Sequence, residues 1–191
     1  METYPRGQLK NLEAEGLLPL FLDLETTGLL EDTEARLTIS GFLDEKGIHQ
    51  FFAAESNKED SLLCDTFDFL KAHAKTHFLV TYNGKYFDIP FLEKRNEIYF
   101  GQEKIKFEHI DLHEIATQDL NQNRYMAKDY CMRTLMPMYF RNTSGFRCAQ
   151  IMKLPKERLY NYEKYELLYH NALDLYQTTL IFEEFKRYDW L

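Results

Sequence analysis

Apolar and polar positions fall into blocks along the chain, and the period of the blocks changes from that of strands to that of helices. Residues 18–29, "LPLFLDLETTGL", begin with Leu18, Leu20, Phe21, Leu22 and Leu24, a near-continuous apolar run. Such a run predicts a strand buried on both faces. "RLTISGFLD" (36–44), the turn "EKG" and "IHQFFAA" (48–54) follow at close spacing and predict an antiparallel meander. In "EDSLLCDTFDFLKAHAKT" (59–76) the apolar residues sit at 62, 63, 67, 69, 70 and 72, a helical spacing, with Asp60 or Ser61 available as a cap. "HFLVTY" (77–82) predicts a short buried strand broken by Asn83-Gly84. "DIPFLEKRNEIY" (88–99) predicts a helix with Pro90 in its first turn, where proline is tolerated. "KIKFEHIDLHEIA" (104–116) reads as a last strand running into a helix, and the remainder reads mainly helical, closing on an amphipathic stretch from about Glu163 to Tyr188. Three strands, then strand and helix twice, then helices, is a mixed α/β order. No repeat or Pro/Gly-rich linker divides residues 1–191, which predicts a single domain.

Two acids interrupt the first strand. Asp23 and Glu25 are two residues apart, so they project from the same face of a strand. Buried carboxylates are costly unless compensated. Mg²⁺ or Mn²⁺, hard cations that prefer oxygen, would compensate them; a solvated strand end is the equally weighted alternative. Thr26, Thr27 and Gly28 follow at once, placing the pair at the strand's C-terminal end, where open α/β sheets put their sites. Asp88 opens the helix after Asn83-Gly84, and aspartate is also a favoured N-cap. Asp174 lies in the last helix, in "YHNALDLYQTTLI", with His170 one turn earlier on the same face. "HIDLH" sets His109, Asp111 and His113 in alternation, but a helix start near Leu112 keeps the three from converging, and no separate metal site is expected there.

Composition narrows the class. A 45% hydrophobic and 15% aromatic content belongs to a folded globular chain and excludes disorder. Three cysteines without a CxxC pair argue against a disulfide framework and a thiolate zinc site. The charged N-terminus lacks the apolar stretch of a signal peptide, and there is no run of about 18 apolar residues. A soluble, cytoplasmic protein without a membrane partner is expected. The net charge of −8 speaks against nucleic acid, but its distribution does not. Residues 124–158 carry eight basic residues against two acids, a local +6 that leaves −14 elsewhere. Tyr125, Tyr130, Tyr139, Phe140 and Phe146 sit among these cations. Positive charge for phosphates with rings for stacking is what single-stranded nucleic acid requires.

Each acid is a weak signal alone; their order and contexts are not. "FLDLETTGL", "TYNGKYFDIPFL" and "YHNALDLYQTTL" resemble the three exonuclease motifs of the DEDD superfamily, within the ribonuclease H-like fold. The likeness covers about residues 18–185 and is nearest to bacterial ribonuclease H-like exonuclease domains. It implies a mixed sheet of about five strands, three antiparallel then parallel, flanked by helices. It makes Asp23, Glu25, Asp88 and Asp174 the ligands of two divalent cations, Mg²⁺ or Mn²⁺. The implied activity is 3′–5′ exonucleolytic hydrolysis at single-stranded DNA or RNA 3′ ends. In that superfamily the base is a His five positions before the last Asp or a Tyr four before it. This chain reverses the types: His170 stands four before Asp174 and Tyr169 five before. Imidazole titrates nearer neutrality than phenol, which favours His170 as base, with Tyr169 the alternative. Asn83 either orients substrate or holds the loop before Asp88, Thr26 and Leu29 either line the pocket for the terminal nucleotide or simply pack the turn, and Arg133, Arg141 and Arg147 are candidate contacts to the incoming strand. Asp111 is expected to support the site. A catalytically silent ribonuclease H-like binding module, or a phosphoesterase acting on small nucleotides, remains open at this point.

Overall fold

The computed structural model describes residues 7–29, 34–53, 58–101, 106–119, 150–151 and 161–191. The elements are α1 (Gln8–Ala14), β1 (Leu18–Thr26), β2 (Leu37–Asp44), β3 (Gly47–Phe52), α2 (Glu59–His73), β4 (His77–Thr81), α3 (Asp88–Phe100), β5 (His109–Asp111), α4 (Leu112–Asp119) and α5 (Asn161–Arg187). The five strands form one mixed sheet in the order β3-β2-β1-β4-β5. β1, β2 and β3 pair antiparallel, whereas β4 pairs parallel with β1 and β5 parallel with β4. From β1 to α4 the predicted order of strands and helices is the observed one.

β1 is central, and its apolar run is divided between two cores. Leu20, Leu22 and Leu24 pack with Leu62, Leu63, Phe67 and Leu70 of α2 and Phe91 and Leu92 of α3. Phe21 points the other way, into a core with Leu175, Ile181, Phe182 and Phe185 of α5 and Ile115 and Ala116 of α4. The Phe21 and Phe182 rings meet edge to face at 5.5 Å. This two-sided burial explains why the strand lacks simple alternation, and it puts the Phe21–Asp23–Glu25 side of β1 under α5.

α1 is an element that the sequence pattern did not suggest. Seven residues are too few for a marginal helix to stand alone, and tertiary packing supplies the rest. Leu9 and Leu12, three apart, are buried against Phe182 and Phe185. Gly7 N–H donates to Leu191 O at 3.2 Å, and Lys10–Asp189 (2.7 Å) and Lys186–Glu13 (2.6 Å) tie α1 to the end of α5. α2 differs at its start. It begins at Glu59, ahead of the expected cap, and Lys58 at the N-cap position makes no side-chain capping bond. The Glu59 carboxylate accepts from Leu37 N (2.8 Å) and forms a two-toothed pair with Arg95 (2.8 and 2.5 Å). Glu59 is 1% exposed, so this pair anchors β2, α2 and α3 from inside.

Candidate metal centre

β1 and β4 stay in register from Leu18↔His77 to Phe21↔Val80 and then part. Beyond that point, at the C-terminal end of β1, acids of the first and third segments meet, while Asp23 and Asp88 lie on or against β1 outside this closest group. Glu25 is buried, 6% exposed, on the face covered by α5. His170 and Asp174 lie one turn apart on α5, above it. His170 Nε2 is 3.6 Å from Glu25 Oε1 and 3.8 Å from Asp174 Oδ2. One ligand atom from each of Glu25, His170 and Asp174 falls within 4.8 Å of the other two. Two carboxylates pressed together repel unless positive charge lies between them. Oxygen donors from two acids with one imidazole nitrogen could hold a divalent cation.

Asp23 joins this face through a second contact with α5. Asn171 Nδ2 donates to Asp23 Oδ2 and to Asp23 O, each at 3.0 Å. The same amide accepts on Oδ1 from Gln50 Nε2 (2.9 Å), which also donates to Leu168 O (2.8 Å). Asn171 is fully buried, so this network fixes α5 against β1 and β3. It requires Gly41, which pairs with Asp23 across the β1–β2 ladder. A Cβ there would lie 2.0 Å from Asn171 Oδ1. Gly41→Ala should therefore displace the amide, costing about 1–3 kcal/mol in a urea melt, and should lower any activity of the site in parallel. Neither Gln50 nor Gly41 stands out in the sequence. A glycine inside a strand was the available signal, since it marks close approach of another group.

Asp88 reaches the site differently from a capping residue. It is the first residue of α3, and Phe87, at the N-cap, makes no side-chain capping bond. Instead Asp88 Oδ1 accepts from Leu24 N at 3.0 Å, beside Asp23 and Glu25 on β1. The loop that delivers it is fastened by Asp111, itself 1% exposed. Asp111 Oδ1 accepts from Asn83 N (2.8 Å) and His113 N (3.0 Å), and Oδ2 from Lys85 N (2.9 Å). Asn83 adopts a left-handed φ of 70°, and a Cβ on Gly84 would lie 2.5 Å from the Thr81 side chain. These demands explain the Asn-Gly pair: asparagine tolerates the left-handed region and glycine allows the close approach.

In "HIDLH" the His109 and Asp111 side chains turn to different partners. His109 Nε2 meets Thr81 Oγ1 at 2.8 Å, while Asp111 serves the loop. Desolvation holds the His109 imidazole below its ordinary value, partly offset by Asp111 and Glu114. The unfolded chain then takes up this proton first. The stability involved is complete above about pH 6.5 and is lost as pH falls through the folded value. His109→Gln should accordingly shrink the difference in urea midpoint between about pH 7.5 and about pH 5.5.

A family model of the RNase H superfamily (RNase_H_2) matches residues 20–186. The chain belongs to the RNase H superfamily. No curated protein matches it. The superfamily's association with nucleic-acid hydrolysis accords with the acidic cluster at the ends of β1 and α5. No helix among the described residues is long and apolar enough to cross a membrane.

The remaining candidates of this RNase H-like domain separate by position. Tyr169 is 62% exposed, whereas His170 is 5% exposed and directed at the acids. Thr26 Oγ1 donates to Gly28 O (2.7 Å) in the turn after β1, and Leu29 is 69% exposed beside it. Asn83 is exposed, in the turn after β4. Arg133, Arg141 and Arg147 lie outside the described residues.

Proposed function

We propose that the protein is a metal-dependent exonuclease of the DEDD kind, removing nucleotides from single-stranded DNA or RNA 3′ ends. The convergence of Glu25, His170 and Asp174, each from a segment that resembles a DEDD motif, is the observation that carries this reading. Asp23, Glu25, Asp88 and Asp174 would hold two divalent cations, Mg²⁺ or Mn²⁺. When bound, such ions supply charge stabilisation at the attacking and leaving oxygens of a phosphodiester. The chain's own groups position and move protons. β1 fixes the carboxylates of Asp23 and Glu25 on a rigid strand end, and Asn171 orients Asp23 through its Oδ2. Asp111 sets the loop from which Asp88 projects.

His170 is the group that takes the proton of the attacking water at Nε2. Its burial between two carboxylates supports this role, and the exposure of Tyr169 removes that side chain from the acids. Thr26, Leu29 and Asn83 are proposed contacts to the terminal nucleotide. Arg133, Arg141 and Arg147 are proposed to hold the incoming strand, which makes this a polymer-cleaving rather than a small-nucleotide site.

Oligonucleotides of DNA and RNA, labelled at the 5′ or the 3′ end, test the reading when incubated with protein and Mn²⁺. Stepwise shortening of the 5′-labelled strand, with immediate release of a labelled mononucleotide from the 3′ end, is expected. Internal cuts or inert substrates would reject it. Charge reversal at Arg133, Arg141 and Arg147 should abolish polymer cleavage while sparing a small chromogenic diester. Equal loss of both would refute the strand-holding role.

A further inference from the structure

The loop between β4 and α3 presents two exposed side chains that neither the core nor the acidic centre uses. β4 ends at Thr81 and α3 opens at Asp88, so the loop runs from Tyr82 to Phe87. Lys85 is exposed, and Tyr86 is 53% exposed. Both reach one carboxylate on α4. Glu114 Oε1 accepts from Lys85 Nζ at 2.8 Å and from the Tyr86 hydroxyl at 2.9 Å. The Lys85 ammonium also lies 5.9 Å from the centre of the Tyr86 ring.

The two ends of the loop fix where it lies. β4 runs parallel to β1, so both strands end on the same edge of the sheet. Asp88, where the loop closes, accepts from Leu24 N, between Asp23 and Glu25. Successive Cα atoms stand about 3.8 Å apart, which puts the Tyr86 Cα at most about 7.6 Å from that of Asp88, and the Lys85 Cα at most about 11.4 Å. A strand held at these acids therefore passes the loop within its first few nucleotides.

Fastening the loop does not require these side chains. Asp111 already accepts from the backbone N–H groups of Asn83 and Lys85, and an exposed ion pair adds little to stability. The shared Glu114 carboxylate instead holds a large ring and an ammonium in place while both stay open to solvent. The hydroxyl bond fixes the direction of the ring, so stacking a base on its face costs little conformational freedom. The ammonium has three hydrogens, of which Glu114 takes one. The Lys85 side chain is 52% exposed and that of Glu114 14%, so an approaching anion meets the cation first. A ring for a base beside a cation for a phosphate is the chemistry that binds single strands irrespective of sequence.

We propose that Tyr86 and Lys85 grip a nucleotide on the 5′ side of the scissile bond, the ring by stacking on its base and the ammonium by pairing with its phosphate. Glu114 is the positioning residue, acting through the two groups it holds. The proposal rests on the exonuclease reading for the direction of the strand.

Anisotropy of a short 5′-fluorescein-labelled single-stranded DNA, bound to the non-cutting Asp174→Ala protein across a salt series, tests the grip. In that parent, Tyr86→Leu should raise Kd between about fivefold and a hundredfold at every salt concentration, the range for removing one stacked base. Tyr86→Phe keeps the ring and should lose less. Lys85→Gln should weaken binding and flatten the slope of log K against log salt by about 0.7, the share of one phosphate on a single strand. Melting temperatures should stay near that of the parent, because both side chains are exposed. Parental Kd and slope in both Tyr86→Leu and Lys85→Gln would overturn the proposal, as would a parent that does not bind the strand. Weakened binding by these variants, with a native protein that leaves labelled strands intact, would keep the grip and reject the exonuclease reading. Unchanged binding alongside stepwise shortening by the native protein would do the reverse.

Discussion

Asp174→Ala is expected to give a folded protein that no longer degrades a labelled oligonucleotide with Mn²⁺ or Mg²⁺. The Asp174 side chain is 21% exposed and packs beside the buried Glu25 carboxylate and His170. Without an ion, removing one of two neighbouring negative charges relieves repulsion, so the substitution should leave metal-free stability unchanged or raised. The rise in melting temperature on adding Mn²⁺ to the native protein should largely disappear, because a ligand stabilises only as far as it binds the folded state. Activity should fall at least about 10³-fold, beyond what losing one positioned donor costs. Asp23→Ala should behave alike in the assay. Its stability should drop somewhat, because the Asn171 amide loses the Oδ2 acceptor. Full activity in both variants would dismantle the two-cation assignment.

His170→Ala should cut the turnover rate by about 10² to 10⁴-fold, the range for a positioned proton acceptor. The Mn²⁺ concentration giving half-maximal rate should change little. This split matters because His170 Nε2 also sits within reach of the two carboxylates as a ligand. A large rise in that concentration, with turnover restored at saturating Mn²⁺, would reassign His170 from base to ligand. Tyr169→Phe should leave both quantities near native, since the phenol is exposed on the helix surface.

The sheet was legible because its signals are local and redundant. β1 declares itself by an apolar run with two-sided burial, the β2–β3 hairpin by its short turn, and β4 by a run broken at Asn83-Gly84. α1 was not legible, since seven residues with two buried leucines carry little period, and its stability comes from the distant end of α5. The start of α2 shows tertiary override of a local rule. Asp60 and Ser61 are suitable caps, yet the helix begins at Glu59, whose carboxylate is drawn inward by Arg95, 36 residues away.

The acids of the candidate site were legible, but what holds them was not. Asp23, Glu25 and Asp174 stand out because charge interrupts an apolar pattern. Asp88 has the sequence of an ordinary cap and the geometry of a residue turned to Leu24. Gln50, Gly41 and Asn171 act only as a set: the glycine makes space, and the two amides span from β3 to β1. No single-sequence period reports a hydrogen bond 148 residues long in chain separation. Asp111 offered a faint signal in "HIDLH", where an aspartate breaks a strand–helix junction, and its three backbone N–H partners now account for it.

The central claim is that these acids form a metal-dependent centre for phosphodiester hydrolysis. The most direct measurement follows single-turnover shortening of a 5′-labelled single-stranded oligonucleotide by chelator-stripped protein as Mn²⁺ is added back. The account predicts no cleavage by the stripped protein, stepwise 3′ shortening as Mn²⁺ is restored, and none at any Mn²⁺ concentration with Asp174→Ala. Cleavage that persists in excess chelator, or an Asp174→Ala ladder equal to the native one, would contradict it.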